Sequence, residues 1–254
     1  MADPAGSRAD LTPAPPGEAA PTDTWWFAAL SSELKPGKLQ RYDLLGDPVL
    51  LGRTRQGGLY ALRDICPHRA APFSAGRLVD DEGPNGVEPR VECPYHGWRF
   101  GLDGACRVIP SLVDNTELDP ARIRVRTYPV REQQGLVWIW NASNPRADPD
   151  PDHEPPLIEG SLSGEPKLIQ QLVLDQPVEA MVADFARGLA EPGAAARLPH
   201  AGLRWEGGRG RRGPTMLACL TPLDAHRTRL TRISWTALPA LTRLSAALRL
   251  GARS

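Results

Sequence analysis

Two short motifs constrain this chain more than anything else in it: Cys66-Pro67-His68-Arg69 and Cys93-Pro94-Tyr95-His96-Gly97-Trp98. They read C-x-H, then 24 residues, then C-x-x-H. The sequence holds only four cysteines and five histidines, and two of each fall inside these motifs. Two thiolates and two imidazoles suit zinc or iron. A Cys2His2 zinc site usually groups its cysteines together and its histidines together on a helix. Here each loop supplies one of each. That arrangement suits a binuclear iron–sulfur cluster with unlike irons, one taking both thiolates and the other both imidazoles. Zinc remains the alternative on the donor set. The proline after each cysteine, and Gly97, fit tight loops whose backbone N–H groups approach sulfur and tune the potential.

The flanking pattern is one of short strands. Order is expected to begin at Thr24-Trp25-Trp26-Phe27, after an Ala/Pro/Gly-rich tail, residues 1–21, too poor in apolar groups to offset its ordering entropy. Asp47-Pro48 reads as a turn before the run Val49-Leu50-Leu51. Gln56-Gly57-Gly58 is a hairpin turn that leads into Leu59 to Leu62, the strand delivering the first motif. Val91-Glu92 delivers the second, and Trp98-Arg99-Phe100 leads away to the Asp103-Gly104 turn and a strand over Ala105 to Ile109. Arg122 to Tyr128 alternates strictly, with Ile123, Val125 and Thr127 on one face, and predicts a half-buried strand. Gly135 to Trp140 reads as a buried strand closing the unit. The 27 prolines and 24 glycines agree with a loop-rich chain of short elements.

Residues 143–159 form a Pro/Asp-rich linker, in which His153 reads as a solvated histidine. Beyond it the pattern changes. Lys167 to Leu174 predicts a strand. Pro177 opens a helix whose Val178, Met181, Val182, Phe185, Ala186 and Leu189 share one face, ended by Pro192-Gly193. The Gly/Arg-rich stretch of residues 206–214 reads as a solvated basic loop. Met216 to Leu220 and Leu230 to Trp235 predict strands, and Leu238 to Leu250 an amphipathic helix with Leu241, Leu244 and Leu248 apolar. The fold class is therefore α+β and mainly β: small antiparallel sheets with two cluster-binding loops over residues 22–142, the linker, then an α+β segment over residues 160–254.

CPHR followed by CPYHGWRF resembles the Rieske domain of the ring-hydroxylating and demethylating oxygenase large subunits, in the style of the vanillate-demethylase-like branch. The resemblance is strong over residues 24–141. It is weaker over 160–254, where fragments such as Leu203-Arg204-Trp205 and Leu220-Thr221-Pro222 carry it. It implies a [2Fe–2S] cluster on Cys66, His68, Cys93 and His96, and a helix-grip-like second part. Asp80 to Pro89 is an insertion relative to the family spacing and is expected as a surface excursion. Neither motif has the extra neighbouring cysteine of the cytochrome-complex proteins, which favours the lower-potential oxygenase or ferredoxin type.

The resemblance also implies a mononuclear Fe(II) held by two histidines and a carboxylate, on a pattern of an aspartate, two residues, His, four residues and His on the helix of the second part, plus a later Asp. The matching positions are Arg187, Ala190 and Ala195, none of which ligates iron in that way. The expectation is a deletion or frame change between about 186 and 200, together with a truncated, degenerate catalytic part that does not bind this iron. His200, His226 and Asp224 are the remaining candidates for a rebuilt site. The expected function is cluster-based electron transfer, fed by a flavin-dependent reductase or a ferredoxin. An active oxygenase hydroxylating or O-demethylating a small aromatic substrate is the alternative, and a non-catalytic binding module or decaying gene product is the third. The family implies a homotrimer. Equal numbers of acidic and basic residues, 30 each, point away from nucleic acid and anionic membranes. No secretory h-region and no apolar run of about 18 residues is present. A cytoplasmic location is expected, with Cys106 and Cys219 as ordinary thiols.

Overall fold

The computed structural model describes residues 20–83, 86–112, 118–145, 147–158, 166, 168–182, 195–197, 202–206 and 215–235. The frame begins with β1 (Thr24–Leu30), whose seven residues TWWFAAL are all buried. It pairs antiparallel with β10 (Leu136–Asn141), placing Trp25 opposite Trp140 and Phe27 opposite Trp138, and β10 pairs in turn with β9 (Val130–Gln133). A strand covered on both faces reads as a continuous apolar run, and both faces are covered here. Trp26, Ala28 and Ile139 pack with Leu44, Val49 and Leu51, whereas Trp25, Phe27, Trp138 and Trp140 pack with Leu217, Cys219 and Ile233 from the second part of the chain.

A second three-stranded sheet holds β2 (Leu39–Leu44), β3 (Asp47–Arg53) and β4 (Leu59–Arg63) in that order. A four-stranded sheet holds β5 (Arg77–Gly83), β6 (Gly86–Glu92), β7 (Arg99–Gly101) and β8 (Cys106–Val108). Leu50, Tyr60 and Leu62 from the former and Leu78, Val91, Phe100 and Cys106 from the latter share one core with Phe73 and the thiols Cys66 and Cys93. The third unit is a five-stranded sheet ordered β11 (Leu168–Leu174), β15 (Thr228–Ser234), β14 (Thr215–Pro222), β13 (Gly202–Glu206), β12 (Ala195–Arg197). Helix α1, described over residues 178–182, follows β11 and buries Val178 and Met181 against Ala218, Leu220 and Leu230 of that sheet. The pattern of the predicted helix face holds that far; Phe185, Ala186 and Leu189, the Pro192-Gly193 stop, the 207–214 part of the basic loop and the 238–250 helix lie outside the described residues. The tail over residues 1–19 lies outside them too.

The mainly-β reading is correct, but several local expectations need correction. Asp47-Pro48 is strand, not turn: the reversal is Leu45-Gly46, with φ of 58° and 78°, the two-residue hairpin geometry in which both central residues are left-handed. Arg122 to Tyr128 is not a strand. A 3-10 turn occupies Pro120–Arg122, and Arg124 and Thr127 make only isolated bridges; the burial alternates over residues 122–126 only, and Tyr128, on the face expected outward, is buried like Val125. The Asp80–Pro89 excursion is an extension of the regular β5–β6 hairpin, in ladder register from Arg77↔Glu92 to Gly83↔Gly86. The linker is docked rather than free. Ile158 is buried among the tryptophans and exchanges two hydrogen bonds with the Gln134 amide, while the exposed His153 lays its ring 5.1 Å from that of Trp140.

Candidate metal centre

The two motifs fold into the same backbone turn. In the first, the Cys66 N–H donates to the Ala71 carbonyl at 2.9 Å, and the Ala70 N–H donates back to the Cys66 carbonyl at 2.8 Å. In the second, Cys93 N–H donates to the Trp98 carbonyl at 2.8 Å and Gly97 N–H to the Cys93 carbonyl at 3.2 Å. Each turn passes through a left-handed residue at the same point, Ala70 at φ 56° and Gly97 at φ 69°. The histidines, however, sit at different offsets, two residues after Cys66 and three after Cys93. One frame thus presents its ligand from two different positions, which is why the motifs look unequal as sequence.

Each turn is held from below. Asp64, 1 % exposed, accepts from the Ser74 N–H at 2.7 Å and the Ser74 hydroxyl at 2.6 Å, closing the segment that contains the first motif. Beneath the second, the Glu92 carboxylate accepts from Arg77 Nε and Arg99 Nε, both at 2.8 Å. Asp81 accepts from Arg99 and from buried Arg90, both at 2.9 Å. This chain of charges crosses β5, β6 and β7 and fixes the strands on either side of the Cys93 loop.

The structure brings the four predicted residues together as two pairs. The Cys66 and Cys93 thiols are buried in one core, at 1 % and 3 % exposure. The imidazoles of His68 and His96 are at the surface, with ring centroids 4.7 Å apart. Burial pushes the Cys66 thiol up to about 11 and the adjoining Cys93 adds to the rise; the backbone N–H groups of His68 and Arg69 act on the same sulfur in the opposite sense. Desolvation holds His68 below the ordinary imidazole range, and the neighbouring His96 and Arg69 act in the same sense; a metal-ligating imidazole is neutral. A two-and-two donor set is what a binuclear cluster takes, because bridging sulfides complete each iron; a tetrahedral zinc needs four donors around one point.

The aromatic neighbours were not read from the sequence as part of the site. Trp98 stacks on His68 at 4.5 Å between centroids and 4° between planes, and Tyr95 lies 4.0 Å from His96. Their place inside the second motif was the available signal. Of the other candidates, His200 lies outside the described residues. The Asp224 carboxylate is engaged in its own turn by the His226 N–H, the Arg227 N–H and the Arg227 guanidinium, which hold it below the usual carboxylate range. Cys106 and Cys219 are buried free thiols in separate cores.

Comparison with known proteins agrees with this geometry. Residues 24–129 match the family model described as the Rieske [2Fe-2S] domain. The chain is 37% identical over 136 residues to a 4beta-methylsterol monooxygenase of Methylococcus capsulatus, covering 54% of this chain and 35% of that protein. It is 41% identical over 127 residues to the oxygenase component of dicamba O-demethylase from Stenotrophomonas maltophilia, covering 50% and 34%. It is 32% identical over 167 residues to chlorophyllide a oxygenase of Arabidopsis thaliana, covering 66% and 27%. The matched region therefore spans about a third of the length of these relatives. Among solved structures, dicamba monooxygenase bound to 3,6-dichlorosalicylic acid superposes with a TM-score of 0.62 at 22% identity, over 91% of this chain and 83% of that one. The likeness in fold thus extends past the metal centre into the five-stranded sheet. No helix among the described residues is long and apolar enough to cross a membrane.

Proposed function

Residues 24–129 of this chain are a Rieske [2Fe–2S] domain, related to the oxygenase components of Rieske type, and from that premise we propose that the chain is a one-electron carrier of the oxygenase type. The proposed ligands are Cys66 and Cys93 for one iron and His68 and His96 for the other. When bound, such a cluster supplies reversible one-electron chemistry at a potential raised by its two imidazole ligands. The observation that carries the reading is the sorting of the donors, with thiols buried in the core and imidazoles exposed at the surface.

The chain's own residues then have distinct tasks. The core around Phe73, Phe100 and Val91 keeps water from the thiolates. The His68 and Arg69 N–H groups stabilise negative charge on the Cys66 sulfur. His68 and His96 form the exposed face at which a donor, a flavin-dependent reductase or a ferredoxin, delivers its electron. Trp98 and Tyr95 hold those rings in place from the side.

The proposal includes that these residues supply no mononuclear iron site. With two histidines assigned to the cluster, His153, His200 and His226 remain, and the sequence contains no H-x4-H. Metal counting with electron paramagnetic resonance on the reduced full chain tests this. Two irons per chain and a Rieske-type signal are expected. Four-coordinate zinc in place of iron overturns the cluster, and a third iron overturns the carrier reading. In that event the second reading, oxygenation of a small aromatic compound, takes over; it is favoured by the extent of the fold likeness to an oxygenase. Oxygen uptake coupled to consumption of such a compound would establish it.

A further inference from the structure

One buried carboxylate ties the two ends of the first metal loop together. Asp64 follows β4, and its own N–H donates to the Pro48 carbonyl of β3 at 2.7 Å, so its backbone is pinned to the sheet below the loop. Its side chain is wholly buried. One oxygen accepts from the Ser74 N–H at 2.7 Å and the other from the Ser74 hydroxyl at 2.6 Å. Both oxygens thus hold a single residue ten positions further on, and Cys66 and His68 lie in the span between. Arg41, half exposed, stands 4.0 Å from the second oxygen, beyond hydrogen-bond reach.

The residues around Ser74 carry this clamp across to the second loop. Phe73 is fully buried and packs in one core with Cys66, Cys93 and Phe100. Ser74 belongs to the 3-10 turn Phe73–Ala75, closed by the Gly76 N–H on the Phe73 carbonyl at 2.8 Å. At Gly76 the chain presses on β6: a Cβ there would overlap the Glu92 carbonyl oxygen. Its φ of −91° is open to any residue, so the position needs glycine for space and not for conformation. Glu92 directly precedes Cys93. A path of two hydrogen bonds and one backbone contact therefore runs from Asp64, two residues before the first cysteine, to the residue before the second. The hydrogen bonds of Cys66 with Ala70 and Ala71, and of Cys93 with Gly97 and Trp98, close each turn on itself and do not join the two.

We propose that Asp64 and Ser74 are positioning residues that set the first metal loop against the second, so that this clamp, and not the ligands alone, fixes the reduction potential of the cluster. The proposal rests on the cluster reading of Cys66, His68, Cys93 and His96. A centre that takes one thiolate and one imidazole from each loop is sensitive to the offset between the loops. Partners that orient the ligands of a metal site tune both its affinity and its potential. A clamp that only added stability would change the melting temperature and leave the loaded cluster as it was.

The test is redox titration and electron paramagnetic resonance of the full chain, wild type beside Ser74→Ala, Ser74→Thr and Asp64→Asn, with melting temperatures measured in parallel. Ser74→Ala removes the hydroxyl bond and keeps the N–H one. Asp64→Asn keeps the shape and can accept at one oxygen only. Both are expected to shift the g values and the midpoint potential of the loaded cluster, Asp64→Asn the more, and to speed its loss to a chelator by about tenfold. Ser74→Thr restores the hydroxyl and should return all three readings to those of the wild type. Should Asp64→Asn fail to fold, the two Ser74 variants decide alone. Lower melting temperatures with unchanged g values and potential overturn the proposal, as do equal shifts in Ser74→Thr and Ser74→Ala. A wild type without a Rieske-type signal overturns the cluster reading and the proposal with it. A wild type with that signal, and variants indistinguishable from it, overturns the proposal alone.

Discussion

The sheets around the metal centre and the five-stranded sheet treat buried charge and apolar surface in opposite ways. Around the centre, each buried charge is held by a partner: Glu92 by Arg77 and Arg99, Arg90 by Asp81, Asp64 by Ser74. In the five-stranded sheet, Arg232 is buried without one among the described residues, and the edge strand β11 leaves Ile169, Leu172 and Val173 exposed at 41%, 46% and 56%. Single atoms go unpartnered in the first region too, Tyr60 Oη and Arg90 Nε among them, and Val87 and Tyr95 are exposed there, so the difference lies in the pairing of charge and in the exposed edge strand.

The strongest way to break the contrast is to remove the metal from the first region. Cys66→Ala leaves one iron a ligand short, and loss of the visible absorption and of the reduced-state paramagnetic signal is expected to be complete. Because metal binding is folding free energy where ligands are gathered from separate loops, this variant should also lose cooperative unfolding of the first region. A variant that kept the signal would overturn the ligand assignment.

Next in size is Glu92→Gln, which leaves Arg77 and Arg99 facing a neutral amide. Breaking a fully buried pair costs about 3–5 kcal/mol. Arg77 is 70% and Arg99 32% exposed, so water takes over part of the loss, and about 1–3 kcal/mol is expected. Chemical denaturation measures it. The matching change in the five-stranded sheet, Arg232→Met, should cost less or stabilise, since it removes an unpaired charge from the interior. If Glu92→Gln proves neutral while Arg232→Met is strongly destabilising, the difference in the pairing of charge is reversed.

Much of this was legible in the sequence, and the gaps have a common cause. The metal motifs announce themselves through scarce residue types. β1 and β10 are legible because burial on both faces leaves an unbroken run of aromatic and aliphatic residues, and β14 because Leu217 and Cys219 are buried on one face and Ala218 and Leu220 on the other. Of the strands missed, β13 lies inside its sheet and two others are edges. β2, LQRYDL, and β9, VREQ, each pair on one side only and carry mixed surfaces, so no period of two survives in them. Residues 122–128 fail the other way: burial alternates over residues 122–126, yet only isolated bridges form, because side-chain patterning reports which way residues face and not whether a neighbour offers a ladder. The shared turn of the two metal loops was hidden by the one-residue shift of its histidine.

Gly97→Ala probes the turn itself. At φ 69° an alanine sits in the left-handed region, and its Cβ would lie 3.3 Å from Pro110 Cγ. A cost of about 1–2 kcal/mol is expected, seen as a lower melting temperature of the cluster-loaded chain. Ala70 already occupies the equivalent position in the first loop, so a left-handed alanine is tolerable in this frame and the cluster should still assemble, with a shifted potential if the loop moves. Complete loss of the cluster would mean that the two turns are not equivalent after all.

The smallest expected effect on stability belongs to the five-stranded sheet and sharpens the contrast most directly. Ile169 is exposed on β11, which among the described residues pairs only with β15. An exposed apolar edge is a template for pairing with another chain, and lysine is a usual way of blocking one. Ile169→Lys should change unfolding free energy by no more than about 0.5 kcal/mol yet reduce concentration-dependent self-association in sedimentation velocity. The same substitution made at Leu157, 65% exposed in a segment outside the named strands, should leave association as it is, because no strand edge is there to pair. If both substitutions act alike, exposed apolar area and not the open strand edge governs association, and the five-stranded sheet is no more open at its edge than the sheets that carry the metal loops.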